Sequence, residues 1–302
     1  MTRKIAVVCL VILAASTIAV FATGQQEKLG SEKNPIVWAF VPSGETGKVS
    51  AGAQSVADLL HAKTGLFFKT FVATDYVGVI EAMKAIPPKA QMSSLATAAY
   101  ILAADQKAAQ AALVSVRNGS AFYKGMIITR PDTGIKTLAD LKGKTFARVD
   151  PLSASGWIIP SLMLKAAGIN LDSDIKILDA GSHPAVVTAV YNGQADAGAC
   201  FVDARTLLQK DHGDVMDKVV IIAESANIPN DGVQFAPSLP QATKDQIVDA
   251  LLTIMTTPEG KTAINTAYQW TALEKHDDSF YDSFRQVLQA AGVTADVLMP
   301  KK

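Results

Sequence analysis

Between Asp150 and Gly156 the chain reads DPLSASG, and the following WIIPSLMLKAAG carries the apolar spacing of a helix closed by Gly168. Ser153 and Ser155 place two hydroxyls at a helix start, where backbone N–H groups lack internal partners and the dipole is positive. Gly156 lets a ligand approach the backbone closely, and Pro160 cannot donate, so the regular helix should begin between Ser155 and Pro160. Such a turn suits a tetrahedral oxyanion. An ordinary serine cap would use the same residues without any ligand.

Three more turns offer similar groups. GSHPAVV sets Ser182, a candidate cap, and His183, a candidate donor, at the start of another helix, with Pro184 in its first turn. MSSLATAAY offers Ser93 and Ser94, and VPSGE offers Ser43, Gly44 and Glu45. Each turn follows a strand-like run, and α/β folds bind ligands at the carboxyl ends of their strands. Four anion-compatible turns on one edge argue for an anion site.

The elements that would position these turns alternate along the chain. IVWAFV, LFFKTFVA, AQMSSL and AALVSVR read as strands separated by helical segments, with Asp75 as a cap and Pro87-Pro88 as a stop. The pattern restarts with KGMIITR, KTFARVD, DIKILDA, ADAGACFVDA and KVVIIAES, and from QATKDQIVDALLTIM onward the chain is mainly helical. Alternation of this kind predicts parallel sheets with helices on both faces, in two similar units with a cleft between them.

Composition excludes several classes. Hydrophobic residues form 49% and charged residues 19%, too apolar for a disordered chain, and 28 basic against 28 acidic residues give no cationic footprint for nucleic acid. Arg3 and Lys4 precede an apolar run from Ile5 to Phe21, the layout of a signal peptide over residues 1–24, with an uncleaved membrane anchor as the alternative. Its removal takes two positive charges and leaves 26 against 28, a net charge of −2. Cys9 lies in that segment, so Cys200 has no partner and reads as a small buried hydrophobe. GETGKVS lacks the spacing of a phosphate loop, the four histidines show no metal-ligand spacing, and no nucleophile elbow is present. No cofactor or metal is expected, and binding without chemistry is the economical reading.

The chain resembles the phosphate/phosphite/phosphonate-binding proteins of ABC transporters. FVPSGE, FVATDYVGVIEAM, LATAAYILA, DPLSASGWIIPSLML, DAGSHPAVVTAVYNGQADAGA and FVDARTLL occur in the family's order between about Pro35 and Leu239. The resemblance implies an α/β, two-lobed periplasmic-binding-protein fold (type II-like) with an inter-lobe cleft and a C-terminal helical segment. Residues 34–120 with 232–302 would form one lobe and 121–231 the other, with crossings near 121–124 and 230–233. It also implies an exported monomer that hands a small phosphorus oxyanion to a membrane permease. Ser153, Ser155, His183, Tyr76 and Asp203 match the family's ligand residues. Ala154 stands where the family usually has Thr, which removes one hydroxyl donor.

Asp203 needs a physical reason, because a carboxylate repels an anion unless a proton or cation lies between them. Phosphite or a phosphonate monoanion offers a P–OH and an aminoalkylphosphonate offers an ammonium, whereas sulfate offers neither; Asp203 can equally cap the helix ARTLL. Glu45 can pair with a cationic substituent or stand solvated. Tyr76 can close over the ligand, and Tyr100 and Trp157 are equally readable as core. A sensor of a small anionic ligand and, less economically, an enzyme on the same scaffold remain alternatives.

Overall fold

The computed structural model describes residues 27–294, and the predicted signal peptide lies outside the described residues. In chain order the elements are β1 (Ile36–Phe40), α1 (Thr46–Thr64), β2 (Phe68–Val72), α2 (Tyr76–Lys84), β3 (Met92–Ser94), α3 (Thr97–Asp105) and β4 (Gln110–Val116). The chain then crosses through β5 (Phe122–Tyr123) into β6 (Gly125–Thr129), β7 (Thr145–Arg148), α4 (Ile159–Ala166), β8 (Lys176–Asp179), α5 (His183–Tyr191), β9 (Ala197–Phe201), α6 (Val215–Lys218) and β10 (Val220–Glu224). It returns through β11 (Ile228–Pro229) to β12 (Gly232–Phe235), α7 (Gln241–Ile254), α8 (Pro258–Tyr268), β13 (Ala272–Lys275) and α9 (Asp282–Ala290).

Two sheets organise two lobes. A six-stranded sheet runs β13-β4-β12-β3-β1-β2 and a five-stranded sheet runs β10-β6-β9-β7-β8, while β5 and β11 form an antiparallel ribbon at the crossing. The sheets are mixed, which corrects the expectation of parallel sheets. β1 pairs in parallel with β2 and β3, and β7 with β8 and β9, but β12 is antiparallel to β3 and β4, and β6 to β9 and β10. The reason is topological: β4 runs out toward the crossing and β12 comes back from it, so as neighbours they lie antiparallel without a crossover helix. The C-terminal segment also gives a strand, β13, to the edge of the six-stranded sheet beside β4, which its helical reading had not anticipated.

Local signals explain the element ends that matter for the cleft. Asp75 caps α2 by accepting the Gly78 N–H at 2.7 Å, and Ser182 caps α5 by accepting the Ala185 N–H at 3.4 Å. Gly65 closes α1 in the left-handed region at φ 71°. ARTLL forms a 3₁₀ turn, Ala204–Leu207, rather than a longer helix. Trp38, Tyr76, Tyr100, Phe146, Trp270 and Tyr281 are fully buried, so each lobe anchors its strands on large side chains. Cys200 is buried, and burial pushes its thiol pKa up.

Candidate functional site

The carboxyl ends of β1, β2, β3, β7 and β9, together with the start of α5, converge on a cavity of about 580 Å³ between the lobes. Ser43, Gly44, Tyr76 and Ala96 line it from the first lobe, Ser153, His183 and Asp203 from the second, and Arg117, Tyr123 and Asp231 from the crossing. The lobes touch at this cavity. The His183 N–H donates to the Ser43 carbonyl at 3.0 Å, and the Tyr76 N–H, at the start of α2, donates to the Asp150 carboxylate at 3.3 Å.

The DPLSASG turn is shaped by its own hydrogen bonds. Asp150 accepts the Leu152 N–H at 2.7 Å through its side chain and the Ser153 N–H at 2.9 Å through its carbonyl. Ser153 Oγ accepts the Gly156 N–H at 3.0 Å, and Ala154–Ile158 then winds as a π-turn into α4, a distortion common at functional sites. The N–H groups of Ala154 and Ser155 have no acceptor among the described residues. Ser155 Oγ and Tyr76 Oη are likewise buried without an aligned hydrogen-bond partner, Tyr76 Oη lying near the Ser153 side chain and Ser155 Oγ near that of Tyr123. Buried polar groups are almost always paired, so four unpaired donors around one turn form a site able to take an acceptor-rich group.

His183 is held as a neutral donor. Its Nδ1 accepts the Phe201 N–H at 3.2 Å, which assigns the proton to Nε2. Burial, and then the nearby Arg117 charge, push its pKa down to about 3. Burial likewise raises Tyr76 well above the usual phenol value and raises the Asp150 carboxyl. The phenol therefore stays protonated and able to donate.

A family model described as "ABC transporter, phosphonate, periplasmic substrate-binding protein" matches residues 38–281. The chain belongs to this family. It is 28% identical over 233 residues to the phosphonates-binding periplasmic protein of Escherichia coli K12, covering 76% of this chain and 68% of that one. It is 27% identical over 191 residues to the phosphate-import protein PhnD of Mycolicibacterium smegmatis, covering 60% and 59%. Among solved structures, a binding-protein component of an ABC phosphonate transporter from Pseudomonas aeruginosa superposes with a TM-score of 0.76 at 22% identity, covering 84% and 85% of the two chains. PhnD1 of Prochlorococcus marinus in complex with methylphosphonate gives 0.76 at 13% identity, covering 85% and 98%. At these identities the structures establish the two-lobed fold of this binding protein.

The candidate residues of this phosphonate-family binding protein separate into two groups. Tyr76, Ser153, His183 and Asp203 line the cavity; Ser155 does not, and lies fully buried next to the lining residue Tyr123. Ser93 and Ser94 do not line it. Ser93 donates to Gln234 Oε1 at 2.9 Å and Ser94 accepts the Trp38 indole N–H at 3.1 Å, so both satisfy core partners within the first sheet. Glu45 is exposed and pairs with Lys48 at 2.7 Å. Ser182 is a helix cap outside the lining. Ala154 is buried in the core, and only its backbone is placed to donate. Gly156 has a packing reason: an added Cβ would lie 2.5 Å from Val149 Cγ2 and 2.7 Å from Ser153 Oγ.

Asp203 is not a free carboxylate. Arg205 Nε and Nη2 fork onto its two oxygens at 2.8 and 2.6 Å, and its Oδ1 also caps the Arg205 N–H at 3.1 Å. Three cavity residues had no assigned role in the sequence. Arg117 and Asp231 form a second fork at 2.6 and 3.1 Å, with Arg117 also donating to Asn230 Oδ1 and the Tyr268 carbonyl. Tyr123 sits on the crossing ribbon. The nearest sequence signal was VRNGS, an arginine beside a turn at the end of an apolar strand; its partner Asp231 lies 114 residues away.

Proposed function

We propose that this binding protein captures a small phosphorus oxyanion in the inter-lobe cavity and delivers it to the permease of its transporter. The observation that carries the reading is the set of unpaired buried donors: the Tyr76 and Ser155 hydroxyls and the Ala154 and Ser155 N–H groups. His183 Nε2–H and the Ser153 hydroxyl add donors on the cavity lining, which Tyr76 shares, while Ala154 and Ser155 follow Ser153 in the chain. All are neutral, and they come from both lobes, so a ligand that gathers them stabilises the lobe arrangement in which they converge. The β5–β11 ribbon is the place for the lobes to rotate, and the permease would then read closure.

The same geometry supports binding over catalysis. A histidine with its pKa near 3 and its Nδ1 occupied by a backbone N–H is a poor general base at neutral pH. Export by residues 1–24 and action as a monomer complete the reading. Calorimetric titration with phosphite, methylphosphonate, 2-aminoethylphosphonate, phosphate and sulfate tests it, alongside a Ser155→Ala, His183→Ala double variant. Binding of a phosphorus oxyanion that is lost in the double variant is the expected result. Failure of every phosphorus oxyanion to bind overturns it.

A further inference from the structure

The cavity has two ends of different chemistry. Its inner end carries Tyr76, Ser153 and His183, each almost fully buried, whereas its outer end is lined by exposed Asn118, Asn265, Phe122 and Thr271, with Gln269 half-buried. The outer residues are neighbours in the fold because the Thr271 N–H donates to the Val116 carbonyl at 2.8 Å, which brings the end of α8 against the end of β4. Among the described residues the side-chain amides of Asn118, Asn265 and Gln269 make no hydrogen bond. A tetrahedral anion alone leaves most of about 580 Å³ to water.

The charges on the lining are already matched. Asp231 has both oxygens on Arg117 and a further bond from Ser115 Oγ at 2.9 Å; Asp203 has both oxygens on Arg205. Lys124, the other cation on the lining, pairs with Glu224 at 3.2 Å. An arriving ammonium would meet two carboxylates already held by guanidinium forks and would face Arg117 and Lys124. Uncharged hydroxyls, by contrast, would meet amides that both donate and accept, beside a Phe122 ring that can cover C–H groups.

We propose that the site selects phosphorus oxyanions whose substituent is uncharged and hydroxylated, with Asn118, Asn265 and Gln269 reading the hydroxyls, and disfavours aminoalkyl substituents. This rests on the oxyanion reading above and names the ligand class within it. The test is competition among ligands of equal length, 2-hydroxyethylphosphonate, ethylphosphonate and 2-aminoethylphosphonate, with methylphosphonate and inorganic phosphate as references for the anion end. The hydroxyethyl ligand should bind about tenfold more tightly than the ethyl ligand, and the aminoethyl ligand more weakly than either. In an Asn118→Gly, Asn265→Ala variant, chosen to respect the positive φ at Asn118 and the helix at Asn265, the hydroxyethyl-to-ethyl preference should fall toward one. Methylphosphonate binding with no preference for hydroxyl, or tighter binding of the aminoethyl ligand, overturns this inference and leaves the oxyanion reading intact. Failure of all five to bind removes both.

Discussion

His183 Nδ1 accepts the backbone N–H of Phe201 at 3.2 Å, so the imidazole enters the cavity lining as an Nε2–H donor and not as a cation. Its folded pKa of about 3 lies below the ordinary value of 6.5. Between those two pH values the unfolded chain binds a proton that the folded protein refuses, so acid favours unfolding. This contribution leaves stability untouched above pH 6.5 and erodes it as pH falls toward 3, by at most about 1.4 kcal/mol per pH unit. Melting curves of the wild type and His183→Gln from pH 7 to pH 4 should show the wild type losing ground to the variant. A stability difference that does not change with pH contradicts the assignment.

Tyr76 Oη and Ser155 Oγ are buried without an aligned hydrogen-bond partner, which separates their value to the fold from their value to the site. Removing an unsatisfied buried hydroxyl should cost the apo protein little and can stabilise it. Removing a donor to an anion should weaken binding by roughly 1.5 to 3 kcal/mol, about tenfold to over a hundredfold. Tyr76→Phe and Ser155→Ala should therefore melt at or above the wild-type temperature while binding methylphosphonate more weakly. Lower melting with unchanged affinity would assign these hydroxyls to the fold alone.

What could be read from the sequence was whatever is carried by short stretches of chain. Asp75, Ser182 and Gly65 act within a few residues of their own position, and their capping roles were legible. Ser153 and His183 were also singled out from their turns after strands, and Tyr76 from the family resemblance; all three line the cavity. Ser93 and Ser94 show the limit of that logic. They stand at the carboxyl end of β3 like the others, but the partners that claim them, Gln234 and Trp38, come from β12 and β1. The Arg117–Asp231 fork was invisible for the same reason, because it joins two passes of the chain through the crossing. Asp203 lines the cavity, but the Arg205 fork that neutralises it follows from a 3₁₀ turn where a longer helix had been expected.

That fork makes a prediction about charge. With Arg205 in place, Asp203 presents little net charge to an anion, and removing the arginine leaves a partly buried carboxylate facing the cavity. Arg205→Met should weaken methylphosphonate binding by at least about tenfold and make it more sensitive to salt. Asp203→Asn should act in the opposite sense, freeing a guanidinium and improving sulfate binding relative to the wild type. Titrations of both variants with methylphosphonate and sulfate at two ionic strengths decide the matter. Unchanged sulfate affinity in Asp203→Asn would mean that this carboxylate takes no part in excluding it.

Gly156 links packing to binding. A methyl group there would meet Val149 Cγ2 at 2.5 Å and Ser153 Oγ at 2.7 Å, and the Ser153 hydroxyl is held in place by the Gly156 N–H. Overpacking of this kind costs about 1 to 3 kcal/mol, and relief by moving Ser153 would displace a donor on the cavity lining. Gly168 makes a useful comparison, since its φ of +83° penalises any side chain but no heavy atom lies within 4 Å of an added Cβ. Both Gly156→Ala and Gly168→Ala should lower the melting temperature. Only Gly156→Ala should also weaken methylphosphonate binding when both are titrated well below their melting temperatures. Equal affinity in the two variants would show that the turn tolerates displacement of Ser153, and that the backbone N–H groups of Ala154 and Ser155 suffice to hold the anion.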